Sequence, residues 1–178
     1  MRFVRQRSGG SASSITSGIM ELDLTIRLAL AGDAVPVARM SRDLIEHGLG
    51  WSWTPRRVQR SIADPKTNVA VAVIRDTQVG FGIMKYHDDE AHLLLLAVQP
   101  LCAGRGIGTA LVGWLEASAR VAGIGQVYLE ARAANFSARS FYKRLGYGEV
   151  QVVPGYYQGV ESSVRMAKDL WLEQPTSA

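Results

Sequence analysis

The chain has 178 residues, 47% of them apolar and 20% charged, with a net charge of +4. That length and balance fit one globular domain with a core of its own, and the one cysteine, Cys102, excludes an internal disulfide framework or a cysteine-rich zinc site. No apolar run approaches the ~18–20 residues that span a bilayer, so no membrane partner is expected, and Arg2, Arg5 and Arg7 supply three of the four net charges, which leaves little argument for a nucleic-acid surface.

The lone cysteine suits a reducing compartment, and a cytoplasmic location is expected. Residues 1–20 are Arg- and Ser-rich and free of acids, the composition of a flexible tail. A transit peptide, an upstream start with Met20 as working initiator, and a functional basic arm share that composition. Residues 21–178 are expected to form a single domain.

In chain order, residues 22–29 alternate as a first strand. Residues 31–50 read as a helix, with Asp33 as cap, Pro36 in the first turn and Gly48 at the end. Residues 54–65 read as a second helix, with Thr54 as cap and Pro55 at the first helical position. Residues 68–75 and 78–87 are strands joined by a polar turn near Asp76. Residues 91–98, "AHLLLLAV", are apolar on both faces and predict a central buried strand. A glycine-rich turn leads into a helix over about 105–122, whose apolar face takes Ile107, Leu111, Trp114, Leu115 and Ser118/Ala122. Residues 126–132 form a fifth strand. Residues 135–146 form a helix capped by Asn135 and ended by Gly146. Residues 147–153 and 161–171 close the chain as a hairpin around a loop "PGYYQG". This β-α-α-β-β-β-α-β-α-β-β order predicts a mixed α/β (α+β) fold with a central sheet of about seven strands.

The turn "AGRGIG", residues 103–108, hands a strand to a helix. The first amides of a helix have no internal partners and carry partial positive charge, and glycines let a phosphate approach the backbone. A P-loop would need Gly-Lys-Ser/Thr after it, and a dinucleotide site would need G-x-G-x-x-G. Counting from Gly104 or Gly106, the third glycine place falls on Thr109 or Leu111. Both known phosphate motifs therefore fail, and an ordinary glycine-rich turn is the plain alternative.

The stretch "VQPLCAGRGIGTALVGWLE" resembles the acetyl-CoA pyrophosphate motif of the GNAT N-acetyltransferase superfamily. Gly106 and Gly108 take its glycine places, while Ala103 stands where the family has Arg or Gln, a departure that Arg105 could offset. A second block, "NFSARSFYKRLGY", is similar to the family's N-x-x-A-x-x-F-Y-x-x-x-G helix at Asn135, Ala138, Phe141, Tyr142, Gly146 and Tyr147. The closest resemblance is to ribosomal-protein N-terminal alanine acetyltransferases. It implies the GNAT fold and an acetyl-CoA-dependent N-acetyltransferase with no metal.

The resemblance also implies site residues. Ala103, Gly104, Arg105, Gly106, Ile107, Gly108 and Thr109 would hold the diphosphate. Leu96, Ala97 and Val98 would bind the pantetheine arm, and Asn135 would touch the cofactor. Tyr142 would act as the acid at the leaving sulfur. A phenol near ~10 is a weaker acid than a thiol near ~8.5, so a hydrogen bond that strengthens as the bond breaks is the safer role. Glu130 shares a strand face with Tyr128, opposite Val127, Leu129 and Ala131. A solvated face is its plain reading, and a base twelve residues before the tyrosine is the family's. Tyr156 and Tyr157, with Trp51 and Trp53, would line the acceptor. His87 and His92 read as structural, with His92 the better second base. The acceptor is expected to be a protein or peptide N-terminal α-amine. The alternatives are a small amine (polyamine, amino acid or antibiotic) and an acyl-CoA-binding sensor without turnover. A homodimer is left open.

Overall fold

The computed structural model describes residues 23–157 and 161–172, the side chains of 155–161 excepted. The tail over 1–20 and the side chains of Tyr156 and Tyr157 lie outside the described residues. Strand β1 (Leu24–Leu28) leads into a short 3-10 turn and helix α1 (Ala34–Leu44). Asp33 does not cap α1 in the expected way: its carboxylate accepts from the Leu30 amide at 2.6 Å and from Arg27 at 2.7 Å, tying the strand exit to the helix entry. Helix α2 (Pro55–Ala63) starts as read, with the Thr54 hydroxyl accepting from the Arg57 amide.

Strands β2 (Thr67–Ile74) and β3 (Thr77–Tyr86) form a hairpin whose two turn residues, Arg75 and Asp76, both have positive φ, at 46° and 65°. That is the handedness a two-residue hairpin demands. Strand β4 (Glu90–Val98) follows, then helix α3 (Ile107–Val121), β5 (Gln126–Arg132), α4 (Phe136–Arg144), and the hairpin β6 (Gly148–Tyr157) and β7 (Glu161–Asp169). The segment read as a loop from Pro154 is instead strand: after a register shift, β6 continues to Tyr157, opposite Glu161.

The sheet has seven strands in the order β1-β2-β3-β4-β5-β7-β6. Only β4 and β5 run parallel. The predicted fold class and element order are the observed ones. On one face, α3 and α4 cover Met84, Leu93, Val127, Leu129 and Met166. On the other, α1 and α2 cover Val69, Val71, Phe81, Ile83 and Leu95. Alternation divides β2 between these two cores: Ala70 and Ala72 join the first, Val69 and Val71 the second. Helix α3 sits so close to β3 that a Cβ on Gly82 would lie 2.8 Å from Leu115 Cδ1, so that contact requires glycine. Its buried face differs from the expected one: Val112, Glu116 and Ala119 are buried, while Ala122 is exposed.

The centre of the sheet explains why β4 is apolar throughout. Its register with β3 steps from Met84↔Leu93 to Ile83↔Leu95 and leaves Leu94 unmatched. This bulge reverses the faces. Ala91 and Leu93 belong to the core under α3 and α4, whereas Leu95 and Ala97 belong to the core under α1 and α2. Beside the bulge β4 and β5 separate: they pair only through Glu90↔Gln126, Ala91↔Val127 and His92↔Tyr128.

Candidate active site

A cavity of about 660 Å³ opens where β4 and β5 part. Its walls are residues 92–96 of β4, residues 129–132 of β5, the loop between α1 and α2, and Asn135, Ala138 and Tyr142 at α4. Past His92 the β5-facing edge of β4 has no strand partner among the described residues, so its backbone polar groups are available to a ligand.

Glu130 is not on a solvated face. Its side chain is 6% exposed, and its carboxylate meets His92 Nε2 at 2.5 Å and Arg165 Nε at 3.1 Å. The two partners are arranged by Tyr128, two residues earlier on β5. His92 stacks on the Tyr128 ring at 4.3 Å, and the Arg165 guanidinium lies 4.4 Å from the ring centroid. Burial alone would raise the Glu130 pKa. The hydrogen bonds and charges of His92 and Arg165 outweigh it and hold the carboxyl below its ordinary value. His92, read from the sequence as structural and as the better second base, lines the same cavity as Glu130. The contact joins residues 38 apart in sequence and depends on β4 lying beside β5.

Tyr142 is 9% exposed and lines the same cavity. Its ring is held edge-on by Phe141 at 5.0 Å and Tyr147 at 5.6 Å. Tyr147 donates to Glu116, which also takes Lys168 at 2.7 Å, so a buried polar group anchors the aromatic set. Burial, followed by the nearby Glu116 charge, raises the Tyr147 pKa strongly. Nothing in the apolar periodicity of α3 pointed to Glu116, because its partners come from elements far along the chain.

The loop between α1 and α2 is fastened by another carboxylate that the sequence reading missed. Glu46, 7% exposed, accepts from the amides of Ser52 at 2.6 Å and Trp53 at 3.0 Å. This presents Trp53 to the cavity. Trp51 does not line it: it is 40% exposed, and its indole N–H donates to the Trp53 carbonyl. Asn135 caps α4 as expected, its side-chain oxygen accepting from the Ala138 amide at 3.0 Å, and it lines the cavity.

The glycine turn lies past the cavity walls, which end on β4 at Leu96. Ala97, Val98 and residues 103–109 are not among the lining. Gly104 and Gly106 have φ of 74° and 78°, and a Cβ there would meet no protein atom within 4 Å. The backbone conformation, not crowding, requires glycine at both. Gly108 faces Phe141 and Val98, so it lets α3 approach α4 and β4. The Ala103 amide is used by the Pro100 carbonyl at 3.1 Å. The amides from Arg105 to Thr109 donate to no acceptor among the described residues. They form a row of donors at the start of a fifteen-residue helix, beside exposed Arg105. That donor set suits a diphosphate, and so fits the cofactor that the sequence motif implies.

Comparison with known proteins agrees with this geometry. Residues 39–147 match the model of the acetyltransferase (GNAT) family. An uncharacterised N-acetyltransferase of Methanocaldococcus jannaschii is 37% identical over 99 residues, 55% of this chain and 64% of that protein. The ribosomal protein bS18-alanine N-acetyltransferase of Haemophilus influenzae is 37% identical over 93 residues, 50% of this chain and 63% of that protein. The chain thus spans less than two thirds of the length of these two relatives. The crystal structure of Ard1 from Thermoplasma volcanium superposes with a TM-score of 0.73 at 26% identity, covering 84% of this chain and 99% of that one. The family match, the sheet that splits between β4 and β5 and the donor row at α3 lead to one conclusion: the chain belongs to the GNAT acetyltransferase family.

Proposed function

We propose that this protein is an acetyl-CoA-dependent N-acetyltransferase whose acceptor is the α-amine of a protein or peptide N-terminus. The observation that carries the reading is the placement of Glu130, His92 and Tyr142 on one cavity at the β4–β5 split. Acetyl-CoA supplies the activated acetyl thioester. The amides of 105–109 and Arg105 would hold its diphosphate, and the free edge of β4 over Leu96, Ala97 and Val98 would receive the pantetheine arm.

The acceptor must lose a proton to attack. An α-ammonium has a pKa near ~8, whereas His92 and Arg165 hold the native Glu130 carboxyl below its ordinary value despite burial, so direct transfer to Glu130 is uphill. Glu130 is better suited to hold the ammonium electrostatically and to orient the imidazole of His92, the other proton-accepting group on this wall. Tyr142 supplies a hydroxyl to the departing sulfur. A lysine ammonium near ~10.4 would need far more driving force than an α-amine, which favours N-termini over side chains.

The test is release of coenzyme A by the full chain with matched panels of N-terminal peptides and small amines. Turnover of peptides above the small amines is the expected result. Turnover confined to small amines moves the acceptor class, and tight acetyl-CoA binding without turnover of any acceptor makes the protein a sensor.

A further inference from the structure

Seven charged or titratable side chains line the cavity: Glu46, His47, Arg57, His92, Glu130, Arg132 and Tyr142. Most already have partners. Glu46 takes loop amides, Glu130 joins His92 to Arg165, and Arg132 reaches the Ile45 carbonyl. Arg57 differs. Its guanidinium lies 4.0 Å from the Trp53 ring centroid, and its side chain has no carboxylate partner among the described residues.

Arg57 does nothing for its own helix. It stands in the first turn of α2, where the amides already carry positive charge and a cation is unfavourable, and that turn contains no acid. Trp53 itself is fixed through the amide that Glu46 accepts. Stacking on a ring engages the face of a guanidinium and leaves its in-plane N–H donors for a carboxylate. The arrangement is a held cation on the wall of a cavity.

We infer that Arg57 selects acceptors that carry a carboxylate close to the reacting amine, so that the preferred N-termini have Asp or Glu among their first few residues. This rests on the peptide reading above. The amine is drawn to Glu130 and the acid to Arg57, two charges of opposite sign on different elements lining one cavity. A second ammonium, as in a polyamine or an aminoglycoside, would meet Arg57 and be repelled.

Steady-state turnover of matched peptides with Glu, Gln or Lys at position two or three, by wild type, Arg57→Gln, Arg57→Lys and Arg57→Glu, tests this. Wild type is expected to prefer Glu over Lys about tenfold in kcat/KM at one of these positions. Arg57→Lys keeps the sign of that preference, Arg57→Gln abolishes it and Arg57→Glu reverses it. A change confined to folding would lower all peptides together and leave the ratio alone. Peptide turnover with no Glu preference, or with the same preference in Arg57→Gln, overturns the role of Arg57 and leaves the peptide reading standing. Failure to turn over any peptide removes both.

Discussion

Glu130 and His92 meet at 2.5 Å where β4 and β5 stop pairing: His92 is the last β4 residue in register with β5, and Glu130 lies two residues past the last pair. The sheet thus places a carboxylate and an imidazole at the floor of its own opening. Arg165, opposite Glu130 on β7, closes the set from the other side.

If the pair works as a unit, Glu130→Gln and His92→Ala will each lower kcat, and the double variant will lose little more than the worse single one. Each should cost about 10²-fold or more. The check is a double-mutant cycle on kcat. Full multiplicative loss would mean that the two act separately.

Glu130 also links pH to stability. Its pKa is depressed in the native state, so its contribution is present above about pH 4.5 and is lost as pH falls through the lower native value. Wild type should therefore lose more stability than Glu130→Gln on acidification below about pH 4.5. Urea unfolding across that window measures the difference.

Tyr142→Phe removes the hydroxyl but keeps the ring packed between Phe141 and Tyr147. The expected result is a fall in kcat of about 10²-fold with coenzyme A affinity within about twofold, as measured by calorimetry. Unchanged kcat would make Tyr142 a packing residue only.

Gly106→Ala forces an alanine to a φ of 78°. Strain of about 1–2 kcal/mol is expected, and the altered turn should weaken coenzyme A binding about fivefold or more. Gly113, exposed on the same helix with open space where a Cβ would stand, is the control: Gly113→Ala should leave affinity unchanged.

The buried Glu116 answers both Lys168 and Tyr147. Lys168→Met alone would leave that buried carboxylate only the Tyr147 hydroxyl and the more distant Arg120 at 3.9 Å and should cost about 3 kcal/mol, while Glu116→Gln with Lys168→Met should cost less than Lys168→Met. Chemical denaturation of wild type and the two variants decides it.

The sequence made β5, α2 and the α3 entry legible because local signals set them: alternation over 126–132, Thr54 with Pro55, and glycines at 104 and 106. What stayed hidden was non-local. His92 reads as one more residue of an apolar strand until β5 brings Glu130 to it. Glu116 carries no local sign of burial, because its partners lie 31 and 52 residues away. Asp33 took Arg27 and the Leu30 amide rather than its own helix, a competition between partners that no cap rule resolves. Leu94 gave no sign of the bulge that turns the β4 faces over. Trp51 and Trp53 looked alike in sequence, and only the Glu46 clamp on the Trp53 amide separates the one that lines the cavity from the one that does not.

The central claim is that chemistry takes place in the gap between β4 and β5. A crystal structure with a peptide–coenzyme A bisubstrate analogue measures this most directly. The account predicts the diphosphate against the amides of 105–109, and the peptide–acetyl junction between the His92–Glu130 pair and the Tyr142 hydroxyl. A junction lodged away from that gap, or a diphosphate bound elsewhere on the chain, would contradict it.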